Sequence, residues 1–340
     1  MRTGMKMGLL LLASFLALLL GIGVGSVYVA PGDILAIGAG RMFGVPLPDH
    51  IPASYSVMVL DMRLPRVLLA FLTGAALALC GAVMQSLLQN PLASPFGLGV
   101  SSGAGLGAAL VIVLGLASAG LGTLLLPAVS LIFALGTVFF VLFVAAKLDR
   151  SMSNVTVILV GMVVSMFCNA VMSLLATGSP VYAQRIQLWQ LGSFSMREWS
   201  AVWALGPVTL LTGLYFLRYA GELDVMTFGE EQALSMGVDL RRVKGRMMTA
   251  VAVLTGTAVA FVGIIGFVDL IVPHIVRRFF GAAHRRTLPA CALFGGTFLV
   301  LCDLAARTFT PPHEIPIGSI TALLGAPFFL YLFFAGRRKE

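Results

Sequence analysis

Two acids, Asp269 and Asp303, stand inside apolar runs of this sequence, where a carboxylate must either titrate or be answered by a neighbouring donor. A charge in hydrocarbon costs roughly 2.5 to 3.5 kcal/mol on insertion scales, so each acid should face protein or water. A proton relay would use acids so placed, but two isolated ones without matching bases read first as structural or pathway-lining groups. Other candidates for chemistry are sparse. His50, His274, His284 and His313 are scattered, with no HExxH or comparable ligand spacing. Cys80, Cys168, Cys291 and Cys302 lie in apolar runs without CxxC spacing and read as small buried hydrophobes. No nucleophile and base stand out as a pair, and no GxxxxGK followed by Ser or Thr occurs, so the chain has no P-loop for ATP. The expectation is a non-enzymatic chain with no metal or cofactor of its own, any ATP-driven work being done by another subunit.

Charge gathers instead in one connection, Arg218 to Arg246, which holds "FGEEQALSMGVDLRRVKGR". Glu230, Glu231, Ala233, Leu234 and Met236 predict one short helix ending at Gly237, because a left-handed closing residue costs glycine little. A second basic piece, Asp239 to Arg246, leads into the next apolar run. A solvated loop explains the charges, but the Ala-Leu-Met stripe gives this polar segment an apolar face suited to a partner's groove.

The elements that must position these residues are membrane helices. The 340 residues are 59% hydrophobic and 11% charged, too apolar for a soluble domain, and a helix needs roughly 20 apolar residues to cross the hydrocarbon. The class predicted is an all-α polytopic membrane protein, one transmembrane domain over 1–340. Breaks at charged or Pro/Gly-rich stretches divide it into about ten spans, namely 7–30, 64–88, 98–116, 124–146, 155–176, 201–217, 247–265, 267–280, 288–305 and 317–334. The first follows a basic start resembling a signal peptide, but it exceeds a typical h-region and reads as a retained span.

Ten spans put both termini on one side. Sixteen of the 22 Lys and Arg then share that side, leaving Arg41, Arg63, Arg66, Arg185, Arg197 and Arg307 on the other. This bias predicts cytoplasmic termini and accounts for the net charge of +8 without nucleic acid.

"LTGAALALCG" (72–81) recurs as "LTGTAVAFVG" (254–263) with six of ten positions identical, and the same offset carries Pro91 onto Pro273. The two copies fall on the second and seventh spans, which run in opposite directions. An inverted-topology repeat is predicted, with a pathway between its halves. The GxxxG clusters Gly21 to Gly25 and Gly103 to Gly107 predict close helix packing, and Pro91 and Pro95 predict a short ordered turn between the second and third spans.

Four stretches carry a resemblance to a known family: "RLPRVLLAFLTGAALALCGAVMQSLLQNPLASPFGLGVSSGAG", "FGEEQALSMGVD", "GIIGFVDLIVPHIVRR" and "EIPIGSITALLGAPFFLYLF". In order and spacing, from Arg63 to the C-terminus, they resemble the permease subunits of bacterial ABC importers for iron-siderophore, haem and cobalamin (type II importers). The resemblance implies a permease of the bacterial inner membrane with ten helices, paired with a second copy or a paralogue. It also implies two cytoplasmic ATPase subunits that bind ATP and Mg, and a periplasmic or lipoprotein substrate-binding protein delivering a metal chelate. By the same resemblance, Gly229, Glu230, Glu231, Ala233, Leu234, Gly237 and Val238 meet the ATPase. Arg63, Arg66 and Arg307 match arginines that dock the binding protein, although anchoring at the membrane interface also explains them. The cytoplasmic gate falls on Ser153 and Asn154. Asn154 departs from the two small hydroxyl residues of the cobalamin importer. Pathway-lining positions, by helical spacing on the fifth span, are Met162, Ser165, Met166 and Asn169. A ferric siderophore is the leading substrate, with haem or cobalamin as runner-up. An ion-coupled secondary transporter on the same repeat is the alternative of another class.

Overall fold

The computed structural model describes residues 3–25, 27–116, 124–149, 152–310 and 313–337. Among the sixteen cations assigned to one side, Arg2, Arg150, Arg338 and Lys339 lie outside these. The described residues form helices joined by short connections. In order they are α1 (Thr3–Gly23), α2 (Pro31–Phe43), α3 (Ala53–Val57), α4 (Leu64–Leu87), α5 (Val100–Val113), α6 (Leu125–Leu148), α7 (Asn154–Ala176) and α8 (Pro180–Gln190). There follow α9 (Trp199–Arg218), α10 (Ala220–Met226), α11 (Glu230–Ser235), α12 (Leu240–Val262), α13 (Val268–Phe280), α14 (His284–Thr308) and α15 (Ile317–Arg337).

Seven of the described helices are long and apolar enough to cross a membrane: α1, the continuous helix Ser54–Leu87, α6, α7, α9, α12 and α14. Two shorter apolar helices, Val100–Val113 and Ile317–Leu330 within α15, accompany them. The architecture is that of an all-helical polytopic membrane protein.

Several expected boundaries move for local reasons. The first span stops at Gly23 rather than Ala30, because the chain turns and Val29 N–H returns to the Gly23 carbonyl at 2.9 Å. Among the helices that escaped the apolar-run criterion, α2 and α8 are each opened by a proline in the first turn, where the missing N–H is harmless. The basic piece Asp239 to Arg246 is not a separate segment, since α12 begins at Leu240 with the Asp239 carboxylate accepting Arg242 N–H at 3.1 Å. Before α4 the helix widens into one π-turn, Met58–Arg63, directly ahead of Pro65. Leu64 N–H there reaches the Val59 carbonyl, a register that absorbs the donor Pro65 lacks.

The core is organised around α4, buried at every position from Thr73 to Leu87. Lipid offers helices no hydrophobic reason to associate, so close backbone approach carries the packing. A Cβ on Gly74 would overlap the Gly295 carbonyl of α14, and one on Gly81 would overlap the Asp269 carbonyl of α13. The predicted close packing at the GxxxG clusters is present: Gly21 sits against Val67 and Val300, while Gly103 and Gly107 face the Phe133 and Val129 carbonyls of α6. The two copies of the LTG sequence lie on α4 and α12, which pack together, with Cys80 Sγ donating to the Val251 carbonyl at 3.7 Å. All four cysteines are buried and unbridged.

Candidate functional site

Polar groups concentrate at the two ends of the bundle. At one end, which also holds Lys6, α10 and α11 project between α9 and α12. Glu230 and Glu231 occupy the first turn of α11, where carboxylates complement exposed N–H groups. The helix closes as predicted: Gly237 adopts φ +83°, its N–H meets the Leu234 carbonyl and Val238 N–H meets the Ala233 carbonyl, both at 3.0 Å. Ala233 is fully buried, whereas Leu234, Met236 and the preceding Phe228 are exposed. The result is a short helical projection with a bare apolar surface at a charged end.

Beneath it lies a group that the sequence reading left among solvated charges. Lys244 is fully buried, and its ammonium donates to Glu230 Oε1 at 2.7 Å, Asn154 Oδ1 at 2.9 Å and the Met152 carbonyl at 3.2 Å. Asn154 in turn donates Nδ2 to the Leu88 carbonyl at 3.0 Å. Asn154, expected at the gate, and Glu230, expected at the ATPase contact, thus share one lysine. The signal was available in the spacing of Leu240, Val243, Lys244, Met247, Met248 and Val251, which puts Lys244 on the buried stripe of α12. Ser153, the other residue expected at the gate, caps α7: its hydroxyl accepts Thr156 N–H at 3.4 Å, and its own N–H donates to Asp149 Oδ2 at 3.0 Å.

A second clasp fixes α10. His284 N–H donates to Asp224 Oδ1 at 2.8 Å, His284 Nδ1 lies 2.5 Å from the same oxygen, and His284 Nε2 lies 2.8 Å from Ser86 Oγ. The order Ser, His, Asp is that of a hydrolase triad, but Ser86 and His284 are sealed in the core and Ser86 Oγ is also bonded to the Ala82 carbonyl at 3.1 Å. The arrangement ties α4, α10 and α14 together.

At the opposite end, Arg66 grips two acids. Its Nη2 donates to Asp303 Oδ1 at 2.8 Å and its Nε to both Asp303 oxygens at 3.1 Å. Its Nη1 donates to Glu314 Oε1 at 2.7 Å, and Ser195 Oγ donates to Glu314 Oε2 at 2.6 Å. Asp303 therefore has the basic partner that the sequence reading did not give it. Burial alone would raise the Glu314 pKa, but the hydrogen bonds from Arg66 and Ser195 and the charge of Arg66 outweigh it and hold the carboxyl below the ordinary glutamate range. Asp269, the other acid, is buried at the start of α13 and accepts a hydrogen bond from Ser94 Oγ.

The three arginines expected to dock the binding protein stand at this rim in different surroundings. Arg63 is only 6% exposed; its Nη1 donates to the Ile22 and Gly23 carbonyls at 2.9 and 3.2 Å and its Nη2 to the Val27 carbonyl at 2.6 Å. Arg307 Nη2 donates to the Gly21 carbonyl, and its Nε lies 3.6 Å from Asp303 Oδ2. Both guanidiniums occupy the end of α1, where the last carbonyls lack helical partners and the dipole is negative. Of the three, Arg66 alone bonds an exposed group, the Glu314 side chain, which is 38% exposed.

The predicted pathway positions are brought together on α7. Met162, Met166 and Asn169 are exposed and Ser165 is half-buried, while Val157, Gly161, Cys168 and Met172 form the packed side. An exposed asparagine midway along a spanning helix needs water or a partner opposite it.

Fold and site define the class: a polytopic helical membrane protein with a charged projection at one end. Comparison with known proteins sharpens this. Residues 10–335 match the model of the FecCD transport family. Over 318 residues the chain is 43% identical to an uncharacterized ABC transporter permease protein, YvrB, of Bacillus subtilis, covering 93% of this chain and 90% of that one. It is 39% identical to the cobalamin import system permease BtuC of Halobacterium salinarum, covering 85% and 77%. It is 36% identical to the hemin transport system permease HmuU of Yersinia pestis, covering 90% and 94%. Among solved structures, an inward-facing conformation of a metal-chelate type ABC transporter superimposes with a TM-score of 0.83 at 30% identity, covering 96% of this chain and 97% of that one. The chain belongs to the FecCD transport family and is an ABC importer permease.

Proposed function

We propose that the chain is the membrane-spanning subunit of an ATP-driven importer for a metal chelate, with a ferric siderophore as the leading substrate. One observation carries this reading: α11 is an exposed, partly apolar projection hydrogen-bonded through Lys244 to Asn154 at the start of α7. A motor pressing on α11 would therefore act on the helix that carries the exposed Asn169.

In this scheme the chain is a single transmembrane domain over 1–340 in the bacterial inner membrane, crossing ten times with both termini in the cytoplasm. Its halves are an inverted repeat. It pairs with a second permease across α7, and Met162, Ser165, Met166 and Asn169 line the shared pathway. Gly229 to Val238 meets one of two ATPase subunits, which bind ATP and Mg. Ser153 and Asn154 form the gate. The substrate-binding protein docks over the rim that presents Glu314 and Arg66, with Arg63 and Arg307 supporting it from beneath.

Haem or cobalamin is the second reading for the substrate, favoured by the relatives that import hemin and cobalamin. An ion-coupled transporter needs acids free to titrate, and Asp303 is held by Arg66 while Asp269 accepts from Ser94. Reconstitution into proteoliposomes with the partner subunits tests the proposal. Uptake of one labelled chelate from a panel of ferric siderophores, haem and cobalamin should require ATP; uptake driven by an ion gradient without the ATPase would overturn it.

A further inference from the structure

We propose that Lys244 is a positioning residue that transmits movement of α11 to the gate, an inference that rests on the ATP-driven reading above. An ammonium has three N–H donors, and Lys244 uses each on a different partner: Glu230 on α11, Asn154 at the start of α7, and the carbonyl of Met152 in the preceding connection. No donor is left for water, and the side chain is fully buried. Its charge is answered by Glu230, whose side chain is 31% exposed and therefore sits between the buried lysine and the surface a motor would touch.

This geometry makes independent motion costly. If α11 shifted while α7 stayed, either the ammonium would lose its carboxylate and remain buried as an uncompensated charge, or it would follow Glu230 and break with Asn154 and Met152. The state of lowest energy keeps all three bonds, so α11 and the start of α7 move together. Asn154 extends the link to α4 through the Leu88 carbonyl. Met152 itself adopts φ +52°, an uncommon left-handed conformation for a side chain of its size, and the bond from Lys244 helps to hold it. An uncommon backbone conformation, held in part by Lys244, thus lies at the joint between lysine and gate.

The test uses the full chain assembled with its ATPase partners and a cysteine introduced as Ser153→Cys, labelled with a membrane-impermeant maleimide. With Lys244 intact, labelling should differ between the nucleotide-free and ATP-vanadate states by at least about fivefold, the lower end of typical coupling between sites. In Lys244→Met and Lys244→Gln, the ATPase should still co-purify while that difference disappears. A nucleotide-dependent difference preserved in an assembled Lys244 variant overturns the inference and leaves the importer reading standing. The absence of any difference with Lys244 intact overturns the gate and motor reading itself. Should neither Lys244 variant assemble, Glu230→Gln, which keeps an acceptor for the ammonium but removes the charge, is read in the same way.

Discussion

Arg66 and Asp303 form a forked ion pair between α4 and α14, with Nη2 2.8 Å from Oδ1 and Nε 3.1 Å from both carboxylate oxygens. The side chains are 14% and 2% exposed, so neither charge has water enough to stand alone. Removing one partner should therefore cost more than removing both. Arg66→Met is expected to destabilise the protein by about 3 to 5 kcal/mol, and Arg66→Met with Asp303→Leu to recover much of that loss. Thermal unfolding in detergent measures both; equal stability of the single and double variants would contradict the pairing.

Arg63 gives a prediction that separates support of α1 from docking. Arg63→Ala leaves the carbonyls of Ile22 and Val27 without the guanidinium donor and that of Gly23 with Val29 N–H alone. Hydrogen exchange over residues 18–25 should rise at least tenfold in the isolated permease, with no binding protein present. Unchanged protection there would return Arg63 to a docking role alone.

Glu314 sets an acid limit on the rim. Its folded pKa lies below its unfolded value, so the carboxylate contributes stability that is complete above the ordinary glutamate range and is lost as pH falls through the depressed folded value. The stability difference between the natural chain and Glu314→Gln should be constant near neutral pH, shrink below about pH 4.3 and then vanish. A difference that grows on acidification would reverse the sign and contradict the assignment.

Close approach of backbones makes a further demand at Gly74. A methyl group there overlaps the Gly295 carbonyl, which belongs to helix backbone and has little room to retreat. Gly74→Ala should destabilise the α4 and α14 contact by about 1 to 3 kcal/mol, whereas Gly38→Ala, where nothing lies within 4 Å, should be neutral. Similar unfolding midpoints for the two variants would argue against the packing account.

Much of this was legible in the sequence because hydropathy and composition constrain a chain in lipid so tightly. The membrane class, most spans, the glycine contacts and the closure of α11 at Gly237 all follow from spacing and residue type. The short α2 and α8 did not, since a search for runs of membrane-spanning length passes over helices of 13 and 11 residues. The bonds of Arg63 and Arg307 were not legible for a physical reason: charge bias indicates which end of a helix a guanidinium occupies, but not whether α1 ends beside it and offers carbonyls. Lys244 was hidden among four cations within six residues, and only the buried stripe of α12 distinguishes it from Arg241, Arg242 and Arg246. Asp303 looked unpaired because Arg66 lies 237 residues away in sequence.

The account turns on which side of the membrane α11 faces. Leu234 is 59% exposed on that helix, so Leu234→Cys offers a reporter that needs no rearrangement of the core. Labelling by a membrane-impermeant maleimide in sealed vesicles of both orientations decides the matter. The account predicts modification in inside-out vesicles only, and protection when the ATPase subunits are bound; modification in right-side-out vesicles would contradict it.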